Sequence, residues 1–206
     1  MSQHNEDRDK VVNALGGKKG LIDSGVPSIV FLVFFNVTKE INAAIWAALS
    51  VSLTLAIIRL IMKDTIQHSL SGLVGVAISA YIANRTGNPI DYFLTSLVKN
   101  SVQAVIYLVG NLIGWPILGI VLGPILGENF TWRKAPNRKK MYINVSWIWV
   151  GMFVARIVIQ LPIYLASNVN LFGVVNLILG FPLFFLVGYF SWLVIKSGPP
   201  AVKVAD

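Results

Sequence analysis

Residues 171–195 have the sequence LFGVVNLILGFPLFFLVGYFSWLVI, a run without a single charged side chain. A helix that crosses a hydrocarbon core of ~30 Å, at a rise of about 1.5 Å per residue, needs about 20 residues. This run is therefore long enough to span a bilayer. A helix on the surface of a soluble protein would instead carry polar residues along one face. The run predicts a transmembrane helix, and it sets the fold class for the rest of the chain.

The composition of the whole chain agrees with a membrane protein. Of its 206 residues, 55% are hydrophobic and 13% are charged, and the mean hydropathy is +0.70. Soluble domains carry about 25% charged residues, so a soluble enzyme and a disordered chain are both excluded. The net charge is +8, but no soluble basic domain is available to present it to nucleic acid. The lipid bilayer is the expected partner.

Six stretches of the chain are long and apolar enough to be spans. The weakest is the first, since Asp23 and Pro27 lie in it, although proline costs little near a helix start. Residues 115–127, which begin with Trp115-Pro116, are either a kinked extension of the fourth helix or a segment in the interface. We predict an all-α membrane protein with six transmembrane helices in one bundle, at about residues 21–38, 41–62, 65–83, 95–114, 142–165 and 171–195.

The positions of lysine and arginine test this arrangement independently of hydropathy. With the N-terminus inside the cell, thirteen of the 17 basic residues fall in cytoplasmic segments, two in outer loops and two within spans. Positive residues are enriched in cytoplasmic loops. We therefore expect a multi-pass plasma-membrane protein with both termini in the cytoplasm. Its parts are a polar tail of residues 1–20, a transmembrane domain of residues 21–195 and a second tail of residues 196–206.

Polar side chains within the spans are candidates for function, because a lone charge in hydrocarbon costs at least a few kcal/mol. One group falls in the outer half of the membrane, where it could line a cavity for an anion or a polar head group. The structural alternative is an ion pair of Glu40 with Arg156 or Lys99, with amides that bridge helices. The members of this group are Arg156, Gln160, Asn176, Lys99, Gln103, Glu40 and Asn36.

A second polar group falls towards the cytoplasm and consists of Asp23, Arg59, Gln67 and His68. Asp23 could cap the first helix or pair with Arg59. His68 could relay protons, but a single histidine near a helix start is more often a plain hydrogen-bonding residue.

Motifs of enzymes are absent from the sequence. The chain has no cysteine and two histidines, and it has no GxSxG, HExxH or Walker sequence. We therefore expect no catalytic residues, no metal and no cofactor.

Short motifs recur along the chain: GGKKGLIDSGVP at residues 16–27, Gln67-His68 with Gly72 and Gly75, Arg85-Thr86-Gly87, Arg156 with QLPIY at residues 160–164, and GFPL at residues 180–183. As a set they resemble the motifs of an uncharacterised family of actinobacterial integral membrane proteins, a domain of unknown function. Residues 27–35 with Lys39, residues 115–118, and Asn144 with Trp147 carry a second, more distant resemblance. In these positions the chain is similar to the inner-membrane septation protein A family, which implies a place in cell-envelope synthesis and division, without known catalysis.

Two functions follow as hypotheses. The first is a non-enzymatic membrane or envelope scaffold that acts through partners, which would be other membrane proteins or a second copy of the chain. The second is a small transporter or channel, working as a dimer, in which the polar cavity around Arg156 admits a small anion or a polar solute.

Overall fold

The computed structural model describes residues 17–62 and 66–200, with side chains for residues 25–62, 70, 72–180 and 182–200. Every regular element in these ranges is helical and none is a strand, which confirms the all-α prediction. Two short 3-10 helices, Pro89–Phe93 and Thr131–Lys134, lie between the α-helices. The α-helices are α1 (Gly17–Thr38), α2 (Ile41–Ile61), α3 (Ile66–Thr86), α4 (Leu94–Leu112), α5 (Ile117–Ile125), α6 (Pro136–Leu165) and α7 (Val169–Ser197).

Four helical segments in the described residues are long and apolar enough to cross a membrane. They are Ile41–Ile61, Pro89–Leu112, Pro136–Leu165 and Val169–Ser197, and Gly25–Thr38 is a shorter apolar helix. The four segments correspond to the second, fourth, fifth and sixth predicted spans. The first and third predicted spans form the helices α1 and α3. Apolar helices of this length indicate a membrane protein.

Two helices begin earlier than hydropathy predicts. The fifth span was expected to begin at Tyr142, but α6 begins at Pro136, whose fixed φ suits the first helical position. Hydropathy misses the first turns because they are basic. Likewise α1 begins at Gly17, so Pro27 lies inside the helix and not near its start. The expectation that Pro27 lies near the start of the helix was wrong, because the helix begins with the polar residues 17–20, which hydropathy does not detect.

Helix α4 ends in a tight turn, so residues 115–127 are not a continuous extension of that helix. Gly114 adopts φ +74°, a conformation that glycine takes at little cost. The Trp115 amide donates to the Gly110 carbonyl at 2.8 Å, and the Gly114 amide donates to the Asn111 carbonyl at 3.1 Å. This pair of bonds is the Schellman motif, which satisfies carbonyls at the end of a helix. Pro116 then precedes the separate helix α5.

Two compact units divide the described chain, and the first contains residues 99–158 and 182–200. Its core surrounds Trp132 and Tyr142, which are fully buried together with Leu118. A Cβ on Gly119 would lie 2.9 Å from the Trp132 ring, and one on Gly123 would lie 2.8 Å from its indole nitrogen. Two glycines one turn apart on α5 therefore let the tryptophan pack against the helix backbone.

The second unit contains residues 17–98 and 159–181. Helices α1, α2 and α3 pack against one another in it. The small residues Ala44, Ala48 and Ser52 make a buried stripe on α2, and small residues allow helices in a membrane to approach closely. Phe31 is fully buried and stacks on Tyr92 with ring centroids 3.9 Å apart. The predicted division into tails and transmembrane domain stays a prediction.

Candidate functional site

Two residues of the predicted outer group, Gln160 and Asn176, meet in the second unit. The Gln160 side-chain amide donates to Asn176 Oδ1 at 3.1 Å, and the Ser96 hydroxyl donates to the same oxygen at 3.1 Å. Gln160 is fully buried. The three side chains come from α6, α7 and α4, so the network bridges three helices.

Asn36, a third member of the group, also bridges helices in the second unit. Its side-chain amide donates to Asn170 Oδ1 at 2.6 Å, and the amide of Asn170 donates back to Asn36 Oδ1 at 2.9 Å. Asn36 donates to the Leu32 carbonyl as well. Asn170 was not predicted from the sequence, because it lies just outside the sixth predicted span.

Glu40 lies at the start of α2 in the second unit, where its side chain is exposed and makes no cap hydrogen bond. Its backbone amide donates to the Thr38 hydroxyl at 3.2 Å. Lys99 and Arg156 belong to the first unit. An ion pair between Glu40 and either cation therefore stays a prediction.

Lys99 and Arg156 lie close enough together for their positive charges to repel. Arg156 is half-buried, and its Nε is buried without an acceptor among the described atoms. Lys99 is exposed, and Gln103, one turn further along α4, is half-buried. The sole carboxylate in the described part of this unit belongs to Glu128, which pairs with Arg138 instead. Two like charges with no carboxylate partner in the described part of this unit form a candidate anion site.

The predicted cytoplasmic group falls mostly outside the described side chains. The side chains of Asp23, Gln67 and His68 are not among those that the structure describes. Arg59 is described: it is half-buried in the last turn of α2, and it has an interaction partner. A pair between Asp23 and Arg59 stays a prediction.

The most completely bonded polar cluster was missed by the sequence analysis. It comprises Glu128, which has no exposed surface, Arg138, which is 3% exposed, and Tyr142. Arg138 Nη2 lies 2.6 Å from Glu128 Oε1, and Arg138 Nε lies 3.0 Å from the same oxygen. The Tyr142 hydroxyl donates to the same carboxylate oxygen. The buried charges are therefore paired and hydrogen-bonded, which offsets their desolvation.

The remaining guanidinium nitrogen of Arg138 also has acceptors. This nitrogen, Nη1, donates to the Pro199 carbonyl at 2.6 Å and to the sulfur of Met141 at 3.4 Å. The cluster therefore joins the loop after α5, the first turns of α6 and the chain beyond α7. One signal in the sequence could have found it: Glu128 is the sole acidic residue between Asp91 and Asp206, and five basic residues follow it within thirteen positions.

A second missed contact lies in the second unit. The Tyr164 hydroxyl on α6 donates to the carboxylate of Asp91, which is buried in the 3-10 helix before α4. Asp91 received no role from the sequence because it lies outside the predicted spans.

A groove runs along the surface between α2 and α3 in the second unit. Small alanines and large side chains line it, and Trp46 and Tyr81 are mostly exposed. The lining residues are Asn42, Ile45, Trp46, Leu49, Ala77, Ala80, Tyr81 and Asn84. Within the described ranges, no three His, Cys, Asp or Glu side chains are grouped so that they could hold a metal ion.

Comparison with known proteins gives a family without an assigned function. No curated protein matches the chain, and no solved structure matches it. A family model described as "Protein of unknown function (DUF3159)" matches residues 15–202. Because the match covers the whole chain except residues 1–14 and 203–206, the chain belongs to this family of unknown function.

Proposed function

We propose that the chain is a six-span protein of the plasma membrane, with both termini in the cytoplasm, that acts through protein partners of the cell envelope and not by catalysis. The distribution of basic residues supports this orientation, and the lengths of four apolar helices support four of the six spans. The more distant resemblance to the septation protein A family supports the envelope as the place of action.

The pairing of polar side chains in the second unit carries this proposal. Asn176 accepts hydrogen bonds from Gln160 and Ser96, and Asn36 exchanges two hydrogen bonds with Asn170. Amides that satisfy one another across helices hold those helices in a fixed register. They are then not free to solvate a passing solute. Such a body suits a protein that presents a surface to partners.

The groove between α2 and α3 is a suitable place for a partner. Ala77 is small and exposed, so it would let a second helix approach closely. Trp46 and Tyr81 offer large apolar faces with a polar group at the edge, which is typical of residues at interfaces. We assign the groove to a transmembrane helix of a partner protein.

Labelling of single cysteines tests the orientation, because the natural chain has no cysteine and gives no background. In intact cells, a membrane-impermeant maleimide should label Ala166→Cys, between α6 and α7. The same reagent should label Asn137→Cys, in the first turn of α6, only after the cells are permeabilised. Both positions are exposed. Labelling of Asn137→Cys in intact cells would contradict the six-span arrangement.

A small anion transporter or channel is the second candidate function. The adjacent charges of Lys99 and Arg156 favour it, since neither has a carboxylate partner in the described part of its unit. A half-buried guanidinium with a buried nitrogen that lacks an acceptor can bind an anion with little competition from water.

A thermal-unfolding screen of small anions on the purified protein separates the two functions. The partner proposal expects no stabilisation that depends on Arg156. A bound anion at a hundredfold excess over its Kd would instead stabilise the protein by about 2.7 kcal/mol. If Arg156→Gln removes such a shift while the exposed Arg85→Gln keeps it, the transporter is supported and the partner proposal is contradicted.

A further inference from the structure

The segment between α4 and α6, together with the first turn of α6, places two cations beside Trp115 in the first unit. The guanidinium carbon of Arg133 lies 3.5 Å from the centroid of the Trp115 ring. Arg133 is exposed. A guanidinium that stacks on an indole keeps its charge and loses little hydration, and the stack holds its fork of N–H donors in a defined place.

Lys139 supplies the second cation. Its Nζ lies 2.9 Å from the position that a Cβ on Gly114 would occupy, so the ammonium packs against the residue next to Trp115. The nearest acidic residue in the sequence, Glu128, is fully buried and bonded to Arg138 and Tyr142. The charges of Arg133 and Lys139 are therefore not neutralised by a carboxylate in the described part of this unit.

Exposed apolar side chains lie close to Trp115 and Arg133 in the sequence. Leu112 and Ile113, at the end of α4, are 70% and 65% exposed, and Phe130 is 51% exposed. The Phe130 ring lies 6.4 Å from the Trp115 ring, centroid to centroid. Cations beside exposed apolar groups match a ligand that carries both a negative charge and hydrocarbon.

We propose that Arg133, stacked on Trp115, and Lys139 bind the phosphate of an acidic phospholipid, with its acyl chains against Leu112, Ile113 and Phe130. The proposal rests on the membrane placement of α4 and α6 given above, since a segment between two spans lies at the bilayer surface. Arginine can bind a phosphate with two parallel N–H donors, and lysine adds a point charge. A free phosphate would share this polar chemistry but would leave the apolar side chains uncovered.

Lipid titration of the full chain in neutral detergent tests the site. Phosphatidylglycerol, phosphatidylcholine and inorganic phosphate are added separately, with thermal unfolding and native mass spectrometry as readouts. Phosphatidylglycerol should stabilise the protein and remain bound. Arg133→Gln with Lys139→Gln should weaken its binding roughly thirtyfold, because each cation would lose a hydrogen bond to the phosphate that contributes about 1 kcal/mol. The matched pair Lys134→Gln with Lys140→Gln, both exposed, should weaken it by less than about threefold.

Three outcomes would overturn the proposal: equal losses in the two double variants, which would mean diffuse attraction; equal binding of phosphatidylcholine; or full stabilisation by inorganic phosphate, which would mean a soluble ligand. Arg133→Lys keeps the charge and removes the stacked fork, so it provides a milder variant if the double variant fails to fold. It should weaken binding by about threefold to tenfold. Cysteine labelling reports the membrane placement separately, so its failure is distinguishable from failure of the lipid site.

Discussion

Glu128→Gln is expected to lower the free energy of unfolding by about 3–5 kcal/mol, the usual cost of removing one partner from a buried ion pair. Arg138 is 3% exposed and would keep its charge with no carboxylate beside it. The Tyr142 hydroxyl would also exchange an ionised acceptor for a neutral one. Thermal or denaturant unfolding of the purified protein in detergent measures the loss.

Two further variants separate the charge effect from loss of packing. Glu128→Leu combined with Arg138→Met removes both charges at similar volume, so it should recover much of the lost stability. Lys134→Gln removes an exposed cation from the same segment and should change stability by no more than about 0.5 kcal/mol. Glu128→Gln with the stability of the natural chain would show that the pair is not desolvated.

Gly123→Ala is expected to destabilise the protein by about 1–3 kcal/mol through overpacking. A Cβ at this position would collide with the backbone carbonyl of Asn129 and lie 2.8 Å from the indole nitrogen of Trp132. A backbone atom cannot rotate away, so either α5 or the loop has to move. The same unfolding experiment measures the effect.

Gly151→Ala is the matched control for this substitution. Gly151 lies inside α6 in the same unit, and a Cβ there meets nothing within 4 Å. Alanine should therefore stabilise the helix by up to about 1 kcal/mol. If both alanines have the same effect, close packing of α5 on Trp132 is not the reason for glycine at position 123.

The helices were largely predictable because an apolar run of sufficient length has few alternatives in a membrane. The run at residues 171–195 lies within α7. The boundary at Pro136 was not predictable from hydropathy, since Arg138, Lys139 and Lys140 continue the helix with polar turns. The break after α4 depends on the left-handed conformation of Gly114, which Gly-Trp-Pro permits but does not require.

The sequence was a better guide to which polar residues belong to the sites than to which residues they bond with. Depth along a helix selected Gln160 and Asn176, which do meet. The depth of a residue along its helix does not show how a neighbouring helix is rotated about its own axis. The hydrogen bond from Ser96 was therefore not expected. The pair of Glu128 and Arg138 was missed because both residues lie in a loop outside the predicted spans. The positive-inside rule counts the basic residues of such a loop and does not consider what they bond to.

The hydrogen bond from Arg138 to the Pro199 carbonyl has a practical consequence for handling the protein. The chain beyond α7 is tethered to the start of α6 by a buried cation. A fusion junction or a truncation at Ser197 would remove an acceptor from that cation, and the damage would be to stability and not to the attached reporter. Reporters are therefore best joined after Pro200.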